Sequence, residues 1–105
     1  MRVIFLLGVM LVNARNVKEV KAMLLNIGYE NFIMKGLVAV ILKPESSHVK
    51  KLRQDATEKG LLINATSGHK TRSVIVLTTG QVVLSSAQTT TIMRRVSKEQ
   101  SKHSE

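Results

Sequence analysis

The segment Gly68-His69-Lys70-Thr71-Arg72 brings together side chains that can bind an anion. It contains an imidazole, an ammonium, a hydroxyl and a guanidinium, and its glycine leaves backbone N–H groups accessible. Proteins contact phosphate through these same groups. The segment therefore predicts a turn that contacts phosphate, although a solvated loop beside a hairpin would have the same composition. Tyr29 and Phe32 stand apart from this turn in the sequence, so no aromatic stacking platform is expected.

The sequence contains no arrangement typical of an enzyme or of a metal site. Its three histidines, His48, His69 and His103, lack the spacing of metal ligands on a helix, and the sequence contains no cysteine. The carboxylates are scattered along the chain, so no pair is placed for general acid and base catalysis. We therefore expect no enzymatic activity, no metal ion and no cofactor.

The chain is strongly basic, and its charge is unevenly distributed. Its 105 residues include 16 Lys and Arg against 7 Asp and Glu, for a formal net charge of +9. No carboxylate occurs between Glu58 and Glu99. On charge alone, this balance favours an anionic partner such as nucleic acid or an anionic membrane surface, although charge that serves only solubility has the same signature. The length allows one modest domain, with an aliphatic core because the sequence has only three aromatic residues.

The first 22 residues have three interpretations. Residues 3–12 form an apolar run that is too short to span a bilayer as a helix, which needs about 20 residues. The run resembles a secretory signal, but it also fits a short buried strand or helix. Thirdly, the codons of Lys18-Glu19-Val20 can spell a bacterial ribosome-binding sequence just upstream of Met23. The third interpretation predicts a leader over residues 1–22 and a domain over residues 23–97. Independently of it, the tail over residues 98–105 is expected to be disordered.

Downstream of Met23, short apolar runs separated by glycines predict a series of strands. The predicted strands cover residues 24–27, 32–34, 37–42, 61–65, 72–78 and 81–85. The run 37–42 is apolar throughout, which indicates a fully buried strand. Thr79-Gly80 predicts a hairpin turn between the last two strands.

Two helices complete the predicted fold. Val49, Leu52 and Ala56 repeat at helical spacing, with Pro44 and Glu45 expected in the first turn and Gly60 at the end. A short helix is predicted over residues 88–96. Together these elements define an α+β fold, in which a small, mostly antiparallel sheet packs with one main helix and a short C-terminal helix.

Several of these segments occur together in one order along the chain. They are Asn26 to Tyr29, Lys43 to Ser46, the basic helix Val49 to Ala56, Gly60 to Thr66, Gly68 to Val76 and Val82 to Gln88. In this order they resemble the RemA family of extracellular matrix regulatory proteins over about Leu24 to Arg95. Within the resemblance, Gly68 to Arg72 matches the family's Gly-Arg-Arg-Thr-Arg type of loop.

The resemblance implies a cytoplasmic, nucleoid-associated bacterial regulator that binds double-stranded DNA and activates biofilm matrix genes. It also implies a ring-like homo-oligomer, which would repeat one basic patch along a curved duplex. No membrane partner is expected. The candidate DNA-binding residues are Lys70, Arg72, His69 and Lys35. Four further cations are candidates for secondary contacts on their charge: Lys50, Lys51, Arg94 and Arg95.

The sequence departs from the family's pattern at positions that matter for DNA. The family's two adjacent loop arginines fall on His69 and Lys70, and only Lys70 keeps a permanent charge. Another DNA-contacting arginine of the family falls on Leu37, where Lys35 is the neighbouring cation. These departures leave a second hypothesis open: an oligomeric scaffold or protein-interaction module that has lost DNA binding.

Overall fold

The computed structural model describes the backbone of residues 3–5, 10–12 and 17–104, and the side chains of residues 19–97. Strands β1 (Val3–Phe5) and β2 (Met10–Val12) pair in antiparallel fashion, and helix α1 follows over Val17–Met23. The leader predicted for residues 1–22 stays a prediction, since strand pairing does not show where translation begins.

A two-stranded antiparallel hairpin follows α1. It consists of β3 (Leu24–Gly28) and β4 (Asn31–Met34), as the apolar runs predict. Leu25 and Ile27 point into the core, whereas Asn26 between them is exposed, as the alternation of a strand requires. A short 3-10 helix over Lys35–Leu37 then leads into the main sheet.

The main sheet has four strands in the order β5, β7, β8, β6. The strands are β5 (Val38–Leu42), β6 (Leu62–Asn64), β7 (Ser73–Leu77) and β8 (Val82–Ser85). Strand β7 pairs antiparallel with β5 and with β8, and β6 pairs parallel with β8. The sheet is therefore mixed. The α+β class and the predicted hairpin at residues 72–85 are confirmed.

Helix α2 (Ser47–Glu58) connects β5 to β6 across one face of the sheet. Its N-cap is Ser46, whose Oγ accepts a hydrogen bond from the backbone N–H of Val49 at 3.2 Å. Pro44 and Glu45 therefore precede the helix and form a turn, so their predicted place in its first turn is wrong. The predicted stop is confirmed, because Lys59 is the C-cap and Gly60 has a φ of +71°.

The sheet separates two hydrophobic clusters. On one face, Val49 and Ala56 of α2 pack against Val74, Val82 and Leu84. The opposite face carries the other cluster, formed by the β3–β4 hairpin, the sheet and helix α3 (Thr89–Ser104). Its buried members are Leu25, Ile27, Ile75, Leu77, Val83 and Ile92. Both clusters are aliphatic, as the composition predicts.

Two predicted elements differ from the structure. Strand β5 is not fully buried, because it lies at the edge of the sheet and Val40 keeps 45% of its surface exposed. Leu42, at its end, is partly buried and packs against the cluster that contains Val49 and Ala56. Helix α3 is not short, since it has 16 residues and continues through Ser104, beyond the predicted end at residue 96. Lys98, Glu99 and Gln100 have good helix propensity, which allows this extension.

Candidate functional site

The segment from Asn64 to Arg72 forms a loop with several backbone anchors. The Oδ1 of Asn64 accepts hydrogen bonds from the backbone N–H of Thr66 at 3.0 Å and from its Oγ1 at 2.6 Å. The N–H of His69 donates to the carbonyl of Thr66, and the N–H of Arg72 donates to the carbonyl of Ser85 at 2.8 Å. These hydrogen bonds restrict the backbone conformation of the loop, and therefore the positions from which the side chains of Lys70 and Arg72 extend.

Lys70 and Arg72 line a groove of about 400 Å³. Its other lining residues are Lys43, Glu45, Thr71, Gln88, Thr89 and Thr90. A second groove, of about 390 Å³, adjoins it, because both share Glu45, Lys70 and Thr71. The second groove adds Pro44, Lys50 and Arg53. We refer to the two together as the basic groove. Its five cations, Lys43, Lys50, Arg53, Lys70 and Arg72, face a single carboxylate, that of Glu45.

Strand register explains why these residues converge. Leu42 is paired with Val74 on the neighbouring antiparallel strand, so the next residue, Lys43, lies beside the segment that leads from Arg72 into β7. Ser73 is paired with Ser85, which places the start of α3 at the same end of the sheet. The first turn of a helix has unpaired backbone N–H groups and a partial positive charge. Thr89 and Thr90 therefore add hydrogen-bond donors to the cationic wall.

The structure brings together three of the eight candidate DNA-binding residues in the basic groove. These are Lys70, Arg72 and Lys50. Lys35 is in a different place: it precedes β5, and Val38 pairs with Leu77, so Lys35 lies at the opposite end of the sheet from Lys70. Leu37 packs against the hydrophobic core, which explains how an apolar residue is accommodated at that position.

The other candidates lie outside the groove lining. Lys51 is exposed on α2, and Arg94 is exposed on α3. The Nη1 of Arg95 donates a hydrogen bond to the carbonyl oxygen of Asn26 at 2.8 Å, so this guanidinium ties α3 to the hairpin. His69 does not line the groove but stacks on Tyr29, with ring centroids 4.5 Å apart and an interplanar angle of 9°.

Sequence reasoning did not single out Lys43 or Arg53 as members of this site. Arg53 could have been predicted from its spacing, because residues three apart on a helix are neighbours and Lys50 was already a candidate DNA contact. No local pattern in the sequence indicates that Lys43 belongs to the site. It reaches the groove only because β5 pairs with β7, more than 30 residues further along the chain.

Tyr29 is not isolated, contrary to the expectation from sequence. It lies at the tip of the β3–β4 hairpin, 40 positions before His69, and the fold brings the two rings into parallel contact. The Nδ2 of Asn31 also donates to the carbonyl of Ala65 at 3.2 Å, which holds the hairpin tip against the loop. Both turn residues have positive φ, with 53° at Tyr29 and 63° at Glu30.

Replacing Glu30 with glycine is expected to stabilise the protein by about 0.5 to 1 kcal/mol. A left-handed backbone costs a residue with a Cβ about 1 to 2 kcal/mol, and part of this gain is offset by the greater freedom of glycine when unfolded. Urea denaturation at fixed protein concentration measures the change. Glu30→Ala is the matched control, because it removes the charge but keeps the Cβ. Equal stabilisation by both variants would show that charge, not backbone strain, is responsible.

The described residues offer no obvious metal site or membrane segment. Within residues 19–97, no three His, Asp or Glu side chains are grouped so that they could hold a metal ion. None of the described helices combines the length and apolar character needed to cross a membrane.

The described residues form a small α+β domain with a solvent-exposed cationic groove. The family described as RemA-like, extracellular matrix regulatory protein A-like, matches residues 24–96. The chain therefore belongs to the RemA-like family, as its motifs predict.

Several curated relatives support this assignment. A protein from Maridesulfovibrio salexigens is 45% identical over 80 residues, covering 76% of this chain and 93% of the relative. A protein from a Synechococcus species is 44% identical over 72 residues, covering 69% and 81%. A protein from Geobacillus thermodenitrificans is 42% identical over 72 residues, covering 69% and 83%. Each of the three is named as a regulatory protein, and with the family this supports a regulatory role.

Proposed function

We propose that this protein is a DNA-binding transcription regulator of the RemA type that holds the phosphate backbone of a duplex in the basic groove. The observation that carries the proposal is the convergence of Lys43, Lys70 and Arg72 with the first turn of α3. These groups come from three separate parts of the chain. Five cations against one carboxylate give the groove a strong attraction for a polyanion.

Each group has a distinct part in holding phosphate. Arg72 presents a planar fork that can donate two parallel hydrogen bonds to one phosphate, whereas Lys70 and Lys43 act as point charges. The hydroxyls of Thr89 and Thr90 and the backbone N–H groups of the first turn donate further hydrogen bonds. Such contacts do not read bases. Selectivity among regulatory regions therefore depends on DNA shape and bending, as in other backbone-dominated complexes.

The proposed partners are double-stranded DNA and further copies of this chain. On a homo-oligomeric ring the basic groove repeats, and every additional groove engages a duplex that is already held nearby. Modest phosphate contacts then add up to tight binding. The genes controlled are those of the biofilm extracellular matrix, and the protein acts in the cytoplasm at the nucleoid.

The second candidate is an oligomeric scaffold or protein-interaction module without DNA binding, for which an exposed apolar surface would supply a contact. Val40 is 45% exposed and lies on β5, whose outer edge has no partner strand among the described residues; Phe32, on the separate β3–β4 hairpin, is 52% exposed. An unpaired edge with apolar side chains is a surface on which another protein strand can pair. The same surface also suits the subunit contacts of a ring, so it does not separate the two functions.

Salt dependence separates them. The full chain is titrated into a fluorescently labelled duplex of promoter length, and anisotropy is measured at several salt concentrations, beside light scattering for the oligomeric state. Phosphate binding predicts that affinity falls more than tenfold between about 50 and 200 mM salt. Absence of binding by a folded oligomer would contradict the DNA proposal and favour the scaffold.

A further inference from the structure

The two aromatic side chains that the structure describes lie on the β3–β4 hairpin, outside the core. The chain has three aromatic residues, and the two with described side chains, Tyr29 and Phe32, are 53% and 52% exposed. The described core contains only aliphatic and small side chains. Aromatic side chains normally supply much of the buried area of a core. Their exposure leaves flat apolar faces available for contact with a ligand.

The two exposed rings are not equivalent. Phe32 is paired with Asn26 on the outward side of the hairpin and makes no ring contact among the described residues. Tyr29 is at the hairpin tip, with its ring parallel to the exposed imidazole of His69. Its backbone φ of 53° is one that residues with a Cβ rarely adopt. The fold thus holds Tyr29 in an unfavourable backbone conformation while leaving half of its side chain in solvent.

The ring pair is fixed next to the basic groove. The backbone N–H of His69 donates a hydrogen bond to the carbonyl of Thr66, and the side chain of Asn31 donates one to the carbonyl of Ala65. These bonds hold the loop and the hairpin tip that carry the two rings. Lys70 follows His69 directly in the chain and lines both parts of the groove. Because His69 and Lys70 are consecutive residues, a phosphate bound at Lys70 and a base stacked on the ring pair would be contacts of one short loop segment.

We propose that Tyr29 and His69 form a stacking platform for an unpaired nucleobase, so that the protein prefers DNA in which a base is extruded from the duplex. This inference rests on the proposed function, because it needs the phosphate contacts of the basic groove. Every base has a flat π-face, so stacking on Tyr29 requires no sequence specificity. Within a stacked duplex both faces of a base are occupied, and only an unpaired base is free to stack on the protein.

The test uses the full chain with two labelled duplexes that differ by one nucleotide. One duplex is fully paired, and the other contains a single bulged 2-aminopurine, a base whose fluorescence is quenched when it stacks. The platform predicts about tenfold tighter binding of the bulged duplex and quenching of the probe on binding. Equal affinities without quenching would overturn this inference alone, whereas binding to neither duplex would contradict the proposed function as well.

Two matched variants identify the platform. Tyr29→Leu keeps an apolar side chain but removes the π-face, and we expect it to bind both duplexes equally. Phe32→Leu makes the same change at an equally exposed position on the same hairpin, and we expect it to keep the preference. If Tyr29→Leu also keeps the preference, the bulge acts through duplex flexibility and the platform is disproved. Circular dichroism checks that each variant is folded. Tyr29→Phe retains an aromatic ring, and we expect it to quench the probe as the unsubstituted protein does.

Discussion

Replacing both Lys70 and Arg72 with alanine is expected to lower the affinity for duplex DNA. At about 0.15 M salt, the expected loss is about 30-fold for each subunit that contacts the duplex. Each phosphate contact contributes about 0.9 to the slope of log affinity against log salt, so two lost contacts reduce the slope by about 1.8. The loss is largest at low salt. Both side chains come from a loop whose backbone bonds remain in the variant, since these bonds use main-chain atoms. Anisotropy titrations over a salt series measure both quantities.

The control for this variant removes the same charge elsewhere. Lys21 is exposed on α1, and Lys59 is the C-cap of α2, at the end of that helix opposite Lys50. Lys21→Ala combined with Lys59→Ala therefore lowers the net charge by two without touching the basic groove. We expect this variant to bind almost normally. If both double variants lose the same affinity, DNA responds to total charge and the basic groove is not the binding site.

Ser85→Ala is expected to destabilise the fold by about 2 to 4 kcal/mol. The side chain of Ser85 is fully buried, and its Oγ donates to the carbonyl of Ile27 at 2.6 Å and accepts from the N–H of Ala87 at 3.0 Å. Alanine leaves both backbone groups without this partner, which costs about 1 to 3 kcal/mol for the buried carbonyl of Ile27 and less for the half-buried N–H of Ala87. The bond to Ile27 also joins β8 to the β3–β4 hairpin. Urea denaturation at one protein concentration, with circular dichroism as the signal, measures the loss.

Ser73 provides an internal control for Ser85. The two serines are directly paired on adjacent strands, and both are 0% exposed. The Oγ of Ser73, unlike that of Ser85, has no hydrogen-bond partner among the described residues. Ser73→Ala removes a buried hydroxyl that gains nothing from the fold, so we expect stability to be unchanged or raised by up to about 1 kcal/mol. A loss as large as that of Ser85→Ala would show that Ser73 also has an essential partner.

Local patterns predicted the elements of this fold but not every pairing between them. Apolar runs located the strands, and Gly60 marked the end of α2, because a helix end and a turn depend on neighbouring residues. The edge position of β5 and the parallel pairing of β6 depend on the order of strands in the sheet. No feature within residues 37–42 distinguishes an edge strand from a central one, so Val40 was expected to be buried.

The candidate site also combines residues that local sequence predicts with residues that only the fold brings together. Lys70 and Arg72 were identified because they share one short segment with Gly68 and Thr71. Lys43 and the contact between Tyr29 and His69 were missed, because each depends on residues about 30 to 40 positions apart. Arg95 was assigned to DNA from its charge, and only the fold shows its hydrogen bond to the carbonyl of Asn26.

The strand order also constrains the sequence of events in folding. The two outer strands of the sheet, β5 and β6, are synthesised first, and the two central strands, β7 and β8, come last. A nascent chain that ends before Ser73 can close the β3–β4 hairpin and helix α2, but β5 and β6 have no neighbouring strand to pair with. The β7–β8 hairpin has a short turn and forms from local contacts, which makes it the natural nucleus onto which the earlier strands add. During synthesis on the ribosome, the four-stranded sheet can therefore assemble only after nearly the whole domain has been made.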